Sequence, residues 1–413
     1  MRRYFIVGNG VAGVTAAQAI VRADPSEVHI FGAEPYPYYR RPRLWEFIAG
    51  EIEQDALYFR PPEWYTEHGI HLHLGVRAMA LDPAAHQLTL RSSSGQALAD
   101  DSIIEYDRLL LATGAWSFVP PFEGTDKEGV FTLRTLDDAL AIKAHAQNVS
   151  TAVVIGGGLL GLETARALRT AGLSVTVVEF APHLLPRQLD AEGAQVLQML
   201  LEAQSLRIIT GGATEVILGD GQADGIRLRD GRVVDGGLVL LSTGIRSDVA
   251  LAQTAGLDVN RGIVVDGQMQ TSVEGIFAVG DSAEFEGRVY GIIPAAVEQA
   301  GVAAANMVTP GSSTYTGTVP ATTLKVAGAE LASLGECVVE GEEYAQLRYV
   351  DRVTGLYRKI VLREGRVVGA ILLNDKERAR PIAQLIERGT DVSGYVERLL
   401  NDDFDLKSLL QAE

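Results

Sequence analysis

The chain has 413 residues, of which 47% are hydrophobic and 22% charged, and its formal net charge is −17. This length allows about two or three domains, and the composition is typical of a globular protein. The negative charge disfavours nucleic acid and anionic membranes as partners. No stretch is apolar enough for a membrane span, and the first strand begins too early for a signal peptide, so we expect a cytoplasmic protein.

Cysteine and histidine usage limits the redox and metal chemistry that this chain can hold. Cys337 is the only cysteine, which excludes a redox-active pair of thiols and a cysteine-bound iron–sulfur cluster within the chain. We expect it to be a small buried side chain. The seven histidines show no ligand spacing, and no metal site is predicted.

The first of two related motifs stands at the N-terminus. Strand Arg3–Val7 is followed by Gly8-x-Gly10-x-x-Gly13 and by an alanine-rich helix. In such a turn the first glycine makes the bend, the second admits a pyrophosphate, and the third packs helix on strand. The N-terminus of the helix then binds the phosphates. Glu34 ends the next strand and is placed to accept hydrogen bonds from an adenosine ribose.

The second motif lies near the middle of the chain. Strand Val153–Ile155 runs into Gly156-x-Gly158-x-x-Gly161, and the following strand ends at Glu179. One such pattern can arise from an ordinary glycine turn, but two copies predict two dinucleotide sites. The carboxylate of Glu179 repels a 2′-phosphate, so we expect NADH rather than NADPH, although Arg187 is a residue that could accept the phosphate.

Three further strand ends support the duplication and complete the first site. Ala112-Thr113-Gly114 has a counterpart in Ser242-Thr243-Gly244, so the second unit repeats the first to its last strand. Gly280-Asp281 closes a later strand, where an aspartate can reach a polyol. A helix then opens near Pro294 and Ala295, and its N-terminus suits the negative charge of a reduced isoalloxazine.

Taken in order, these motifs resemble the two-dinucleotide FAD/NAD(P)H reductase superfamily, also called the pyridine nucleotide-disulfide oxidoreductase family, over about residues 3 to 305. Pro35-x-x-x-Tyr39-x-Arg41-Pro42-x-Leu44 resembles the branch that reduces rubredoxin and ferredoxins. Thr323 to Gly335 is similar to NADH:rubredoxin reductases and to the flavin-binding front part of assimilatory nitrite reductase. The resemblance to that nitrite reductase is partial, because the cysteine-bearing modules that complete that enzyme are not among these 413 residues.

The resemblance implies an α/β fold with two Rossmann-like dinucleotide-binding domains, the second inserted in the first, and a C-terminal α+β domain. The expected boundaries are 1–118 and 245–315 for the FAD-binding domain, 119–244 for the NAD-binding domain and 316–413 for the C-terminal domain. FAD would be bound by Gly8, Gly10, Val11, Ala12, Gly13, Glu34, Arg41, Pro42, Ala112, Thr113, Gly114, Gly280, Asp281, Pro294 and Ala295. NADH would be bound by Gly156, Gly158, Leu160, Gly161, Glu179 and Gly244.

Glu163 is the candidate catalytic residue. In that branch a lysine shortly after the Pro-x-Leu segment often pairs with the glutamate of Gly-Leu-Glu beside the flavin N5. The glutamate is present here as Glu163, but Leu44 is followed by Trp45 and Glu46. The lysine is therefore missing from its expected place.

The last section is expected to form an antiparallel sheet of strands Val338–Glu340, Ala345–Val350, Leu356–Leu362 and Arg366–Leu373, followed by helix Lys376–Ile386. In relatives this unit covers the flavin edge or makes a dimer, so a homodimer is one possibility.

The expected function is an NADH-dependent FAD oxidoreductase that passes a hydride from NADH to FAD and electrons to a small iron–sulfur protein, rubredoxin or ferredoxin. Rubredoxins are usually acidic, as is this chain, so docking would need a local basic patch such as Arg40, Arg43 and Arg60. Two alternatives remain open: an NADH oxidase or diaphorase that reduces oxygen or small acceptors, and a flavin-bearing subunit of a larger redox complex.

Overall fold

The computed structural model describes residues 2–92, 102–319, 321–326 and 328–410, and for residues 321–326 it describes the backbone only. The chain forms two compact units. The first unit comprises Met1–Arg43, Glu53–Trp116 and Ile245–Thr318, and the second comprises Leu44–Ile52, Ser117–Gly244 and Val319–Glu413. Among the described residues, every helix is too short or too polar to cross a lipid bilayer.

The strands, in chain order, are β1 (Arg3–Val7), β2 (Glu27–Gly32), β3 (Ile70–Leu74), β4 (Val76–Asp82), β5 (Gln87–Ser92), β6 (Ser102–Glu105), β7 (Arg108–Leu111), β8 (Ala115–Ser117), β9 (Val130–Thr132), β10 (Thr151–Ile155), β11 (Ser174–Val178), β12 (Arg207–Ile209), β13 (Thr214–Leu218), β14 (Gly225–Leu228), β15 (Val233–Asp235), β16 (Leu238–Leu241), β17 (Ile245–Ser247), β18 (Ile263–Val265), β19 (Ile276–Ala278), β20 (Ala283–Phe285), β21 (Ala321–Val326), β22 (Ala329–Gly335), β23 (Tyr344–Asp351), β24 (Leu356–Arg363) and β25 (Arg366–Leu373). The α-helices are α1 (Val11–Ala23), α2 (Leu44–Ile48), α3 (Pro62–Glu67), α4 (Leu136–Ala146), α5 (Leu159–Thr170), α6 (Ala191–Glu202), α7 (Ala250–Thr254), α8 (Ile293–Val308) and α9 (Lys376–Arg388).

A parallel sheet forms the centre of the first unit. Its strand order is β19-β7-β1-β2-β3, and all four pairings are parallel. Apart from the edge strand β3, in which leucine and isoleucine alternate with histidine, the strands are mostly apolar, as expected for strands that are buried on both faces. Helices α1 and α8 pack together, and β4, β5 and β6 form a separate antiparallel sheet. The carboxyl ends of β1, β7 and β19 therefore meet at one edge.

The second unit repeats this arrangement. Its parallel sheet has the order β12-β11-β10-β16-β9, with β10 paired in parallel to both β11 and β16. Helix α5 packs on β10 and β11, and α2 packs on α4 and α5. The predicted α/β class and its internal duplication are confirmed.

The C-terminal part of the second unit is an antiparallel sheet of order β21-β22-β25-β24-β23 with α9 packed on β22 and β25. The predicted strand Val338–Glu340 is wrong, and the pair β21 and β22 was missed. At Gly335 the chain leaves the sheet with φ +57, and a Cβ there would lie 2.2 Å from the Val368 carbonyl oxygen. The apolar residues beyond this turn are therefore outside the sheet, and Val338 is 45% exposed.

Candidate functional site: two dinucleotide-binding turns

The first glycine turn joins β1 to α1, and close packing explains two of its glycines. A Cβ on Gly8 would lie 2.1 Å from the Ala112 carbonyl oxygen, and one on Gly13 would lie 2.0 Å from the Gly8 carbonyl oxygen. Gly10 differs, because the nearest atom to its Cβ position is Arg41 Nη1 at 3.7 Å. The second glycine thus faces space that a ligand can enter.

The helix behind this turn has the properties of an anion site. Gly10 is the N-cap of α1, none of the described side chains caps it, and the first turn carries no acidic residue. The first backbone N–H groups of a helix carry partial positive charge and need an acceptor. A pyrophosphate at this position would supply one.

Arg41 and Glu34 lie beside the first turn. Arg41 Nη2 is 2.5 Å from Glu34 Oε1, and the Tyr39 hydroxyl donates to Glu34 Oε2 at 2.5 Å. Arg41 Nε is buried and has no hydrogen-bond partner within the described ranges. A buried unpaired N–H is costly, so this guanidinium fits a phosphate ligand. The predicted contacts of Glu34 with ribose and of Arg41 and Pro42 with the adenylate side stay predictions.

Two more predicted segments reach the same edge of the sheet. Thr113 Oγ1 donates to the Asp248 carbonyl oxygen at 2.6 Å, which fixes the backbone before Gly114. Gly280 has φ +74, and its N–H donates to Gln299 Oε1 at 2.8 Å. A Cβ on Gly280 would lie 3.3 Å from the Cβ of Ala12. The Gly280-Asp281 segment is thus held against the start of α1.

Helix α8 begins with Pro294 in its first turn, directly before Ala295, and lacks a side-chain cap among the described residues. Its N-terminal N–H groups are therefore available for an electronegative ligand, as the sequence predicts. The assignment of these residues to a flavin stays a prediction.

The second glycine turn reproduces the first residue by residue. A Cβ on Gly156 would lie 2.2 Å from the Ser242 carbonyl oxygen, and one on Gly161 would lie 2.1 Å from the Gly156 carbonyl oxygen. A Cβ on Gly158 would meet nothing within 4 Å in the described structure. Gly158 is also the N-cap of α5, whose first turn includes Leu160. Both turns therefore combine two tightly packed glycines with one open position.

Glu179 has a structural role that the sequence did not reveal. Its Oε2 accepts a hydrogen bond from the Gly157 N–H and its Oε1 accepts one from the Ala181 N–H, both at 2.6 Å. The carboxylate therefore connects the glycine turn to the loop after β11. Gly244 has φ +99 and its carbonyl oxygen accepts from the Phe118 N–H at 2.9 Å, so it closes the same edge of the sheet.

Glu163, in the second turn of α5, faces another carboxylate. Helix α2 packs on α5 and carries Glu46 in the region where a lysine was expected. Burial, together with the negative charge of Glu46, raises the pKa of the Glu163 carboxyl to about 7. Arg166 on the same helix pairs with Glu51 at 3.2 Å and covers the Trp45 ring at 5.3 Å. Glu163 can therefore exchange a proton near neutral pH.

Cys337 is buried, as predicted. Its Sγ lies 3.0 Å from Ser333 Oγ, and burial raises the pKa of the thiol. Across the described residues, no group of three or more histidine, cysteine, aspartate or glutamate side chains is arranged to hold a metal ion.

Comparison with known proteins identifies relatives of both parts of the chain. The family model for pyridine nucleotide-disulphide oxidoreductases matches residues 2–300, and the model for the rubredoxin NAD+ reductase C-terminal domain matches residues 320–390. The chain is 38% identical over 395 residues to nitrite reductase [NAD(P)H] of Bacillus subtilis, covering 95% of this chain and 48% of that protein. It is 27% identical over 402 residues to NADH-rubredoxin oxidoreductase of Clostridium acetobutylicum, covering 97% of this chain and 99% of that protein.

Solved structures agree with these relationships. The covalent putidaredoxin reductase-putidaredoxin complex superimposes with a TM-score of 0.87 at 26% identity, covering 100% of this chain and 99% of that one. The predicted fold with two dinucleotide-binding domains and a C-terminal domain is therefore confirmed. The chain spans about half the length of the nitrite and nitrate reductase relatives that it matches, between 41% and 50%.

Proposed function

Because the chain belongs to the pyridine nucleotide-disulphide oxidoreductase family, we propose that it oxidises NADH through bound FAD and passes the electrons to a small iron–sulfur carrier protein. This family uses FAD and NADH. The observation that carries the proposal is the pair of equivalent glycine turns. Gly10 and Gly158 each leave an open position at a helix N-terminus that no side chain of the described residues caps, which supports one dinucleotide in each unit.

FAD is assigned to the first unit. Gly8, Gly10 and Gly13 receive its pyrophosphate at the start of α1, and the guanidinium of Arg41 neutralises the phosphate charge. Asp281 is assigned to the ribityl chain, and the start of α8 to the electron-rich end of the ring. When bound, FAD accepts a hydride and can release the two electrons singly.

NADH is assigned to the second unit. Gly156, Gly158 and Gly161 receive its pyrophosphate at the start of α5. The Glu179 carboxylate, held by the N–H groups of Gly157 and Ala181, accepts the ribose hydroxyls and repels a 2′-phosphate. This carboxylate favours NADH over NADPH.

Glu163 is assigned the handling of a proton. A carboxyl group with a pKa of about 7 is divided between its protonated and charged forms at neutral pH, which is the condition for efficient exchange. A lysine partner would hold it ionised, whereas Glu46 favours the protonated form. We assign Glu163 as the residue that takes up or releases a proton in the catalytic cycle.

A small carrier protein is the acceptor that fits best. The C-terminal match is to a rubredoxin NAD+ reductase domain, and a ferredoxin reductase component of chlorobenzene dioxygenase from Cupriavidus is 30% identical over 416 residues. A stacked group of side chains in the first unit offers positive charge for docking. The guanidinium carbons of Arg40 and Arg60 lie 4.6 and 4.3 Å from the centre of the Phe59 ring, and Phe59 is 36% exposed.

The experiment is anaerobic. The FAD-loaded protein is reduced with one equivalent of NADH, and reoxidation of the flavin is followed after addition of rubredoxin, ferredoxin or air. Reoxidation by a carrier in milliseconds and by air in many seconds is expected. The reverse order would contradict the proposal and favour an NADH oxidase, and no reduction by NADH would exclude both. Replacing Arg40 and Arg60 with glutamine should slow the carrier reaction at low salt and leave flavin reduction by NADH unchanged.

A further inference from the structure

The N-cap of α6 is held by side chains from the C-terminal sheet of the same unit. The Asp190 carboxylate accepts hydrogen bonds from the Tyr357 hydroxyl at 2.8 and 2.9 Å and lies 3.0 Å from Lys359 Nζ. It also accepts the Gly193 N–H at 3.0 Å, as an N-cap does. These three side chains are defined here as the Asp190 anchor: Asp190, Tyr357 and Lys359.

Two of the three anchor side chains are buried, and the side chain of Asp190 is 16% exposed. Tyr357 is 0% and Lys359 is 1% exposed, although a buried ammonium group costs free energy unless it is paired and hydrogen-bonded. A Cβ on Gly193 would lie 2.9 Å from the Tyr357 ring, so β24 and α6 are in close contact. Burial acts to raise the pKa of the Asp190 carboxyl, but the hydrogen bonds from Gly193, Tyr357 and Lys359 outweigh this effect. The pKa is therefore lowered.

The Asp190 anchor does not belong to the core between the C-terminal sheet and α9. Arg358, between Tyr357 and Lys359 on β24, points to the opposite face and pairs there with Asp375 at 2.5 Å and with Asp402 at 2.6 Å. Side chains alternate across a strand, so one face of β24 closes the C-terminal domain and the other reaches α6. The anchor residues are thus directed toward the dinucleotide half.

The segment between Glu179 and Asp190 connects the anchor to the second glycine turn. Glu179 binds the N–H groups of Gly157 and Ala181 at one end of this loop. In the middle, the Leu185 N–H donates to the Gly157 carbonyl oxygen at 3.2 Å, and Leu185 has φ +50, a conformation that is unfavourable for a non-glycine residue. At the other end the chain enters Asp190.

The C-terminal sheet contacts this loop a second time. Cys337 Sγ lies 3.8 Å from the Gln188 carbonyl oxygen, two residues before Asp190. Leu184, Leu185 and Leu189 are fully buried, so these three leucines fix the loop by packing, although Phe180 at its start is 76% exposed. Its strained conformation therefore depends on contacts at both ends.

We propose that Tyr357 and Lys359, acting through Asp190, are positioning residues that hold the 180–189 loop in the conformation that binds the pyridine nucleotide. The inference rests on the proposed function, because it assigns this turn to NADH. A loop that is ordered before binding does not cost ordering entropy when the nucleotide arrives. The C-terminal domain is in this way a determinant of nucleotide affinity, although no residue of its sheet is assigned to the nucleotide itself.

The test measures binding of NAD+, which is oxidised and permits no turnover, to the full-length FAD-loaded protein. Tyr357→Phe removes one hydroxyl and keeps the ring, and Lys359→Met removes the charge and keeps the length. Arg358→Met is the matched control, since it breaks a buried ion pair on the same strand but on the other face. Calorimetry gives the dissociation constant, and hydrogen exchange of residues 180–189 reports the order of the loop. Melting temperature and FAD content are recorded for every variant.

Both anchor variants are expected to bind NAD+ about fivefold more weakly or worse, with faster exchange in the 180–189 loop. Arg358→Met should bind NAD+ as the wild type does, even if its melting temperature falls as far as the melting temperatures of the two anchor variants. Either of two results would overturn this inference and leave the proposed function standing. The first is wild-type NAD+ affinity in both Tyr357→Phe and Lys359→Met, and the second is an equal loss of NAD+ affinity in Arg358→Met. If the wild type itself binds no nicotinamide nucleotide, the proposed function is overturned as well.

Discussion

Arg41 is oriented by Glu34: its Nη2 atom lies 2.5 Å from Oε1 of that carboxylate, while its Nη1 is the nearest atom to the Cβ position of Gly10. The Tyr39 hydroxyl holds the other oxygen of Glu34. The guanidinium is therefore fixed beside the open position of the first glycine turn. This relationship joins the acid that follows β2 to the proposed pyrophosphate site through one side chain.

Replacing Arg41 with alanine should weaken FAD binding by about 10- to 100-fold, because a hydrogen bond to a charged group contributes about 1.5–3 kcal/mol. Titration of the FAD-free protein with FAD, followed by the loss of flavin fluorescence, measures the dissociation constant. Arg43→Ala is the control, since Arg43 Nη1 donates to the Ala56 carbonyl oxygen. Equal FAD affinity in Arg41→Ala and Arg43→Ala would contradict the assignment of Arg41 to the phosphates.

Alanine substitutions of two glycines in the second turn should distinguish an effect on nucleotide binding from an effect on folding. Gly158→Ala places a methyl group where the described structure has nothing within 4 Å, so the protein should fold normally and bind NAD+ at least about tenfold more weakly by steric conflict with the phosphates. Gly161→Ala places its methyl group 2.1 Å from the Gly156 carbonyl oxygen and should lower the melting temperature. Normal NAD+ affinity in a folded Gly158→Ala protein would count against the second dinucleotide site.

The pKa of Glu163 predicts a pH dependence of stability. Its value of about 7 in the folded protein exceeds the ordinary 4.5, so between these pH values the folded state binds more protons than the unfolded state. The contribution of Glu163 to stability should therefore fall as pH rises through this range, by about 3 kcal/mol at most. Glu163→Gln should be more stable than the wild type above about pH 7 and similar to it near pH 4.5.

Melting temperatures of wild type and Glu163→Gln across this pH range check the prediction. Glu51→Gln is the control for the general loss of a negative charge. The Glu51 carboxylate pairs with Arg166, which lies on the same helix as Glu163. A difference between Glu163→Gln and wild type that stays constant with pH would show that folding does not raise the pKa of Glu163.

A cluster of stacked histidines predicts the opposite trend in the first unit. His29 stacks on His71 and His73 at ring distances of 4.6 and 5.4 Å. Burial, followed by the charges of His71 and His73, lowers the pKa of His29 to about 4. At this residue the unfolded state therefore binds more protons between about pH 4 and 6.5, so the contribution of His29 to stability should rise with pH in this range.

His29→Phe should reduce this acid sensitivity, because phenylalanine keeps an aromatic ring beside Phe5 and Phe31 and cannot take up a proton. Urea unfolding of the FAD-loaded protein between about pH 4.5 and 7 measures the effect. The exposed His68, which stacks on Trp64, provides the control variant His68→Phe. An unchanged pH dependence in His29→Phe would place the acid-sensitive group elsewhere.

The nucleotide turns could be predicted from the sequence because their requirements are local. Gly8 and Gly156 have positive φ values of 116 and 115, and the spacing to the next two glycines is set by one turn and the start of one helix. The acid at the end of the following strand is placed by the length of that helix. The conformation of such a turn is determined by residues that are close together in the sequence.

Other features became visible only in the folded chain. The prediction of strand Val338–Glu340 failed because the chain bends out of the sheet at Gly335, where a Cβ would lie 2.2 Å from the Val368 carbonyl oxygen of the neighbouring strand. The absence of a lysine after Leu44 was evident, but not that Glu46 acts on Glu163 with its charge. Asp190 and Tyr357 are 167 residues apart in the sequence.

The glycine spacings and strand-ending acids thus specified an α/β protein with two dinucleotide turns, since each is encoded within a strand, a turn and a helix. The pKa of Glu163, the orientation of Arg41 and the Asp190 anchor were decided by tertiary structure. These features depend on which helices and strands pack together, because packing buries side chains, removes water from them and brings charges from other elements close. Hydrophobic periodicity along the chain does not specify which elements pack together.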